Sequence, residues 1–329
     1  MPTNDYDSIP YNQPISRFGI QLGASGTSFA NKMAIETSVD TQGYSIPHFT
    51  RPDESLGKTN DTIGPDGRPN VRDSATFTLE PGFAKRRGLR GVIPLELLNS
   101  PLARFLASAE SETAANVNNL RYRMEKKVRA MVEAVQSVSG HNATPTVKWD
   151  ASGLTNVDII GDAEAAIDAA EANANSDNMS GGGWEWYTNR IVARTIGVYL
   201  REKLKYTDAN FIKGGKIPID LAGLPLNVAG IQENTAKAGQ TPTYSRVWSA
   251  DDLYLVYSNP TFAQNQRSFT AMAQMQWSGI AVPYSTKVFR HPEQDVLELI
   301  VSTDVFDSLE LLSVDGIYAL KHVLTTELA

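Results

Sequence analysis

One apolar stripe at helical spacing constrains the fold more than any other feature of this 329-residue chain. Its members recur three or four positions apart: Val117, Leu120, Met124, Val128, Met131, Val135 and Val138. This spacing predicts a helix over 111–139, with Ser111 or Thr113 as its cap and Ser139-Gly140 at its end. A helix of that length measures roughly 40 Å.

Charged residues surround the stripe on the other faces of the predicted helix. They are Arg121, Arg123, Glu125, Lys126, Lys127, Arg129 and Glu133. A helix with one apolar stripe and charged flanks is expected to lie on a sheet or a long loop. A coiled-coil seam is the alternative, although the stripe supports it over barely three heptads.

A short strand-forming run lies in the second half of the chain. In RVWSADDLYLVYSNP, at 246–260, five apolar or aromatic residues stand between an Asp-Asp pair and a Ser-Asn-Pro turn signal. Such a run predicts a strand that is buried on both faces. The run carries no nucleophile, base or metal ligand, so it indicates a structural role.

Residues 43–92 predict a long two-stranded excursion. GYSIPHFTRPDE and SATFTLEPGF are typical of its two strands, and the Gly-Pro, Asp-Gly and Arg-Pro pairs between them are turn signals. A two-stranded ribbon is marginally stable alone in water, so this one is expected to lie on another surface. The excursion ends in a basic turn that contains Lys85, Arg86, Arg87 and Arg90.

Composition limits the classes of function. The chain is longer than the roughly 250–300 residues at which single cores stop growing, so two lobes are expected. The absence of cysteine excludes disulfides, thiolate zinc sites and thiol catalysis. The net charge of −7 argues against a nucleic-acid binder, whose surface is usually basic. No long apolar run and no secretion signal are present, so neither a membrane span nor export is expected.

No motif indicates catalysis, a cofactor or a metal. The histidines lie far apart and lack paired-ligand spacing: His48, His141, His291 and His322. The glycine-rich stretches at 23–26 and 181–183 lack the lysine and spacing of a phosphate-binding loop. The Asp251-Asp252 pair is expected in a turn, where Asp is locally favoured. We therefore predict no enzymatic activity, no cofactor and no metal, and we assign the tryptophans and tyrosines to the core.

The order of these parts resembles the major capsid proteins of tailed bacteriophages over nearly the whole chain. Four segments carry the resemblance, in order: VKWDASGLTNVDIIGDAEAAIDAA, RVWSADDLYLVYSNP, MQWSGIAVPY and GIYALKHVL. Two departures from the family pattern are the missing Pro before Val157-Asp158 and the stretch GGGWEWYTNRI, which replaces a Pro-Asn turn.

The resemblance implies an α+β fold with an N-terminal arm, an extended β-hairpin loop, a long spine helix, a peripheral domain and an axial domain. The implied bounds are 1–42 for the arm, 43–92 for the extended loop, 93–180 for the peripheral domain, 181–283 for the axial domain and 284–329 for the return strands of the peripheral domain. Within the peripheral domain the spine helix is expected at 111–139 and a second helix at 155–173.

The same resemblance implies a structural protein that self-assembles as pentamers and hexamers into an icosahedral shell around the double-stranded DNA of a tailed phage. The implied location is the virion capsid, after assembly in the host cytoplasm. The implied partners are further copies of the chain, a separate scaffolding protein, a portal and a decoration protein. DNA contact is expected to be non-specific, and no membrane contact is expected.

Charged residues are the candidate inter-subunit contacts. We hypothesise that the basic cluster meets the acidic C-terminal third across a subunit boundary. The candidates are Lys58, Lys85, Arg86, Arg87, Arg90, Glu293, Asp295 and Glu298, and the same acidic set includes Asp304, Asp307 and Glu310. Lys58 lies in the proposed loop and is also a candidate for a Lys–Asn isopeptide bond. Reversing Arg86 and Arg87 to Glu is expected to impair assembly while leaving the monomer folded.

Three alternatives stay open at the sequence level. An encapsulin-like bacterial compartment has the same fold and holds cargo enzymes. An α+β enzyme would use 43–92 as a mobile lid, although no site accompanies it. A tail or fibre protein would show repeats or heptads, and the chain has neither.

Overall fold

The computed structural model describes the greater part of the chain. The described residues are 28–49, 77–94, 109–174, 182–203, 212–213, 217–229, 232–236, 240–241, 243–262, 269–279, 282–291 and 298–325. No helix among them is long and apolar enough to cross a membrane.

The chain divides into two compact units, each built from three stretches of sequence. Unit 1 comprises the described residues of Met1–Tyr44, Gly82–Val128 and Gln274–Glu310. Unit 2 comprises those of Ser45–Pro81, Arg129–Ala273 and Leu311–Ala329. Both units contain helices and strands, which confirms the α+β class.

Four helices are described: α1 (Phe29–Met33), α2 (Ala109–Gln136), α3 (Ile159–Ala174) and α4 (Arg190–Glu202). The strands of the first half are β1 (Ala34–Val39), β2 (Gly43–Phe49), β3 (Phe77–Phe83), β4 (Lys85–Pro94), β5 (Asn142–Ala143) and β6 (Gly183–Asn189). Short strands follow: β7 (Ile212–Lys213), β8 (Ile217–Pro218), β9 (Asp220–Leu221), β10 (Leu224–Ala229), β11 (Gln232–Asn234) and β12 (Tyr244–Arg246). The last strands are β13 (Leu253–Ser258), β14 (Met272–Trp277), β15 (Ser285–Arg290), β16 (Glu298–Leu311) and β17 (Ile317–Leu320).

The long helix predicted at 111–139 is confirmed as α2, with small shifts at both ends. Its buried stripe includes Val132 in place of Met131, because both positions lie close to the stripe of a 3.6-residue period. Val138 lies beyond the helix and is exposed. The helix ends at Gln136, whose carbonyl oxygen accepts a hydrogen bond from Asn142 Nδ2 at 3.0 Å, and this satisfies one of the open carbonyls of the last turn.

One residue predicted on a charged flank of α2 is buried instead. Glu125 is 1% exposed, and its carboxylate accepts hydrogen bonds from Ser28 Oγ and from Ala30 N, the latter at 2.9 Å. Both donors lie at the start of α1, whose first backbone N–H groups have no partner within the helix. The prediction of a solvated Glu125 was therefore wrong, because a contact 97 residues away leaves no trace in helical periodicity.

The larger sheet has six strands in the order β5-β17-β13-β6-β10-β9. β13 pairs antiparallel with β17 on one side and β6 on the other, and all six of its residues are buried. The prediction that 253–257 is a strand buried on both faces is confirmed. α3 supplies a stripe of small buried residues to the same core: Ala163, Ala166, Ala170 and Ala174.

The second sheet has five strands, β1-β14-β16-β15 with β4 added beside β16. β4 pairs antiparallel with β16 along its whole length, from Lys85 opposite Asp307 to Pro94 opposite Glu298. The prediction of a basic turn at 85–90 was therefore wrong. A Cβ at Gly88 would lie 2.3 Å from Asp304 Oδ1 and one at Gly91 would lie 2.3 Å from Glu112 Oε2, so a larger residue at either position would displace the neighbouring carboxylate.

The two-stranded excursion is confirmed as the pairing of β2 with β3. Gln42 and Ala84 close its base through two hydrogen bonds, Ala84 N to Gln42 O at 2.8 Å and Gln42 Nε2 to Ala84 O at 3.0 Å. Because β4 begins at Lys85, the hairpin ends before the predicted limit of 92.

Candidate functional site

Opposite charges line the two long neighbouring strands β4 and β16. In their antiparallel register, Arg86 lies opposite Phe306 and Arg87 lies opposite Val305. Arg86 is therefore diagonal to Asp304, and Arg87 is diagonal to Asp307. Side chains at such positions are within reach of one another. The register therefore brings basic and acidic residues together within a single chain.

Arg87 and Asp307 form a buried ion pair in unit 1. Arg87 donates through Nε and Nη2 to both carboxylate oxygens of Asp307, and the two side chains are 15% and 0% exposed. Gln274 Nε2 on β14 adds a third hydrogen bond, 2.8 Å from Asp307 Oδ2. Removing one partner would leave the other charge buried and uncompensated, so loss of either side chain alone is expected to be strongly destabilising.

Arg86 occupies a half-exposed position on the opposite face of β4. Its Nη2 lies 3.0 Å from Asp304 Oδ2, with the Arg86 side chain 44% exposed. Its guanidinium also stacks 5.9 Å from the ring centre of Phe306, which lies directly across the strand pair. The Phe306 ring in turn meets Trp277 edge-on at 5.3 Å. Arg86 therefore lies at the surface, where its guanidinium contacts both the Asp304 carboxylate and the Phe306 ring.

A second constellation in unit 2 joins two aspartates and a histidine. Asp251 Oδ2 lies 2.9 Å from His322 Nδ1, and Asp252 Oδ1 accepts the backbone N–H of His322 at 2.9 Å. Gln136 Nε2 donates to the other oxygen of Asp252 at 3.1 Å. Burial tends to raise the pKa of Asp251, but the hydrogen bonds from Ser249 and His322 and the charge of His322 outweigh it and hold that pKa below its ordinary value.

This carboxylate–histidine cluster was missed by the sequence prediction. Asp251 and Asp252 are buried, although they were expected only as favoured turn residues, and His322 follows β17 about 70 residues later. Three such side chains within 4.8 Å of one another have the donor types of a metal site. Their carboxylates are instead satisfied by hydrogen bonds, and these bonds tie the chain after β17 to the start of β13 and to the end of α2.

The β2–β3 hairpin exposes large apolar side chains. Leu79 is 62% exposed and Phe83 is 51% exposed, whereas Tyr44 at the base of the hairpin is buried and donates to Glu310 Oε1 at 2.8 Å. Gly82 is required beside Tyr44, because a Cβ there would lie 2.1 Å from the tyrosine ring. The hairpin is thus anchored at its base and carries an exposed apolar strand.

Comparison with solved structures identifies the fold. A phage-related protein from Bordetella bronchiseptica is 16% identical and superposes with a TM-score of 0.65, over 96% of this chain and 98% of the other. The capsid of the cyanophage P-SCSP1u matches at 12% identity and a TM-score of 0.53, over 88% of this chain and 86% of the other. The chain has the tailed-phage major capsid fold.

A further structure with this capsid fold comes from an empty gene transfer agent particle, with 11% identity, a TM-score of 0.50 and coverage of 91% of this chain and 97% of the other. No protein-family model matches the sequence, and no curated protein is similar to it. The likeness to these capsid proteins therefore rests on the fold and not on the sequence.

The predicted contact residues occupy different settings in this capsid fold. Lys85 and Arg90 are exposed on β4, and Glu298 is half-buried at the first position of β16. Arg86 and Arg87 pair with acidic residues of their own chain. Lys58, Glu293 and Asp295 lie outside the described residues. A role of these residues between subunits stays a prediction, and Arg87 is buried in unit 1 whatever that role is.

Proposed function

We propose that this chain is the structural subunit of a closed icosahedral shell that encloses the double-stranded DNA of a tailed phage. The observation that carries the proposal is the match to a phage-related protein over 96% of this chain and 98% of the other, with a TM-score of 0.65. A match at both ends and through the middle supports a whole shell subunit rather than one shared domain.

The parts of the fold suggest separate roles in assembly. Residues 1–42 would be the arm, the hairpin within 43–92 the extended loop, α2 the spine helix, 181–283 the axial domain and 284–329 the return strands. A protein ring or shell of identical subunits forms when heterologous contacts close by rotation. We expect pentamers and hexamers as the rings from which the shell is built.

The exposed apolar strand of the hairpin supports contacts between copies. Leu79 and Phe83 are more than half exposed, and a two-stranded hairpin with such residues gains stability when a second surface covers it. Permanent interfaces between subunits bury about 2,000 Å² or more, which one hairpin can supply only together with other surfaces.

The remaining expectations concern partners and location. A separate scaffolding protein, a portal and a decoration protein are the proposed partners, and packaged DNA is contacted only non-specifically. The proposed location is the virion capsid, after assembly in the host cytoplasm. A role without enzymatic activity and without a cofactor accords with a sequence that carries no catalytic motif.

Electron microscopy and sedimentation of the purified chain test the proposal directly, with and without a co-expressed candidate scaffolding protein. Closed shells, or rings of five or six copies, are expected. Shells that carry DNA when recovered from a phage-infected host support the phage assignment, whereas shells filled with an enzyme identify a cargo compartment. A folded chain that stays monomeric under both conditions overturns the proposal.

A substitution in the hairpin tests the interface. Leu79→Asp is expected to abolish shells or rings while the far-ultraviolet circular dichroism and the melting temperature stay unchanged, because Leu79 is exposed in the single chain. Leu79→Met is the matched control, since it keeps the apolar contact, and it should assemble normally. Normal shells from Leu79→Asp would remove the hairpin from the interface.

A further inference from the structure

A cavity in unit 2 has the composition of an anion site. It has a volume of about 290 Å³ and lies between the side of α2, the β11–β12 ribbon and the bend before β13. Its walls are formed by Arg129, Gln232, Tyr244, Ser245, Arg246, Trp248, Ser249 and Ala250. This volume is close to the lower limit for pockets that hold small organic ligands, roughly 300 Å³.

The charge of the cavity wall is opposite to that of the whole chain. Two arginines and no acidic residue are among the described residues of the wall, whereas the chain carries a net charge of −7. Arg129 commits its Nε to Glu133 Oε1 at 2.7 Å, which leaves its terminal nitrogens outside that bond. Arg246, an exposed residue of β12, has no acidic partner among the described residues.

Neutral donors and aromatic rings complete the wall. The Gln232 amide and the Tyr244 hydroxyl are available donors, whereas Ser249 Oγ already donates to Asp251 at 2.6 Å. Trp248 is buried and held edge-on against Tyr254 at 5.5 Å, so it forms a fixed surface. Tyr244 is 66% exposed, so its ring is open to contact by a flat ligand.

We propose that this cavity binds the phosphate group of a nucleotide. Guanidinium groups match phosphate oxygens with paired hydrogen bonds, so Arg246 and Arg129 are the phosphate ligands. Tyr244 stacks on the base, because aromatic side chains bind bases through their flat faces. The phosphate comes from a free nucleotide or from the end of a DNA strand.

Isothermal titration calorimetry of the full chain tests this site. The probes are inorganic phosphate, adenosine monophosphate and a terminally phosphorylated oligothymidylate, each at constant ionic strength. Saturable binding of adenosine monophosphate is expected, and Arg246→Ala should weaken it about tenfold or more, because a charged hydrogen bond is lost. Binding of the oligothymidylate as well assigns a strand end, and its absence assigns a free nucleotide.

Matched variants separate the site from general charge and from folding. Arg201→Ala removes the same charge from α4, away from the cavity wall, and should bind adenosine monophosphate as the unmodified chain does. Tyr244→Ala should weaken adenosine monophosphate but leave inorganic phosphate unchanged. Arg246→Lys keeps the positive charge but loses the paired N–H donors of the guanidinium, so it should also weaken binding. This variant replaces Arg246→Ala if the alanine variant does not fold.

Three results overturn the proposal. They are the absence of saturable nucleotide binding, equal weakening by Arg201→Ala and Arg246→Ala, and binding of inorganic phosphate alone.

Discussion

The interiors of the two units are stabilised by different interactions. In unit 1, Arg87, Asp307 and Gln274 form a buried ionic network, and Val117, Leu120, Tyr284 and Val305 form an apolar cluster in the same unit. In unit 2, the six-stranded sheet and α3 enclose tryptophans, tyrosines and aliphatic residues in one continuous core. Ionic networks depend on paired partners, whereas apolar packing depends on buried volume.

Buried polar atoms that lack a hydrogen-bond partner are more numerous in unit 1 than in unit 2. Among the described residues, those in unit 1 are Thr37 Oγ1, Arg87 Nη1, Arg121 Nε and Nη2, Gln274 Oε1 and Ser285 Oγ, and the one in unit 2 is Trp184 Nε1. Buried polar atoms without partners are costly unless water or another group satisfies them. Unit 1 therefore contains more of the buried polar atoms without partners, whereas unit 2 combines a larger apolar core with the hydrogen-bonded cluster of Asp251, Asp252 and His322.

Truncating a core tryptophan in unit 2 should have the largest effect. Trp186 is fully buried and its indole N–H donates to Leu221 O at 3.1 Å. Trp186→Ala is expected to lower the free energy of unfolding by about 3–5 kcal/mol, measured by urea denaturation. Trp277→Ala on β14 is the control in unit 1, and it should cost less because Trp277 is only half-buried. Equal losses would break the comparison.

Removing one partner of the unit 1 ion pair should have the next largest effect. Asp307→Ala leaves Arg87 buried without its counter-charge, so the free energy of unfolding is expected to fall by about 3 kcal/mol. The double variant Arg87→Met with Asp307→Leu replaces both charges with apolar groups and should be more stable than Asp307→Ala alone. A double variant that is less stable than the single one would show that the network acts through more than charge pairing.

The carboxylate–histidine cluster gives unit 2 a dependence on acid pH. The folded-state pKa of Asp251 lies below its usual 3.8, so its contribution to stability is present above 3.8 and is lost as the pH falls through the folded value. Asp251→Asn should lower the free energy of unfolding by about 1–2 kcal/mol at neutral pH. The variant should also lose less stability than the unmodified chain when the pH falls below 3.8. Melting curves from neutral pH to below 3.8 measure both effects. An unchanged acid profile would exclude Asp251 as its source.

The half-exposed pair of β4 should contribute least to stability. Arg86→Ala is expected to lower the free energy of unfolding by about 1 kcal/mol, because the half-exposed Arg86 can be replaced by water beside the buried Asp304. Arg86→Glu is the suitable charge reversal for testing contact between subunits, with assembly followed by sedimentation. Arg87→Glu is unsuitable, since it would unfold unit 1 through the buried Asp307. Normal shells from Arg86→Glu would exclude this residue from the interface.

Local periodicity was enough to predict α2, β13 and the β2–β3 hairpin. In each case the signal lies within a single stretch: a stripe at three and four positions, a continuous apolar run, or two strand-like runs around turn pairs. The resemblance to the capsid fold used the order of such stretches, which is also a property of the sequence alone. The bounds of α2 differ from the prediction only by the few residues over which helix ends fray.

The candidate sites depended on contacts that no local pattern records. Arg86 and Asp304 are 218 residues apart, and Asp251 and His322 are 71 residues apart. Residues 85–90 form a strand because they pair with β16. The glycines Gly88 and Gly91 are compatible with a turn or a strand, so the local sequence does not distinguish the two.

Local patterns in the sequence were sufficient to predict the long helix α2, the buried strand β13 and the β2–β3 hairpin, in the order found in capsid proteins. Only the tertiary structure decided which charges are buried, which are paired and which remain exposed. The physical reason is that periodicity reports how one element faces its surroundings, whereas an ion pair requires two elements to meet in one register.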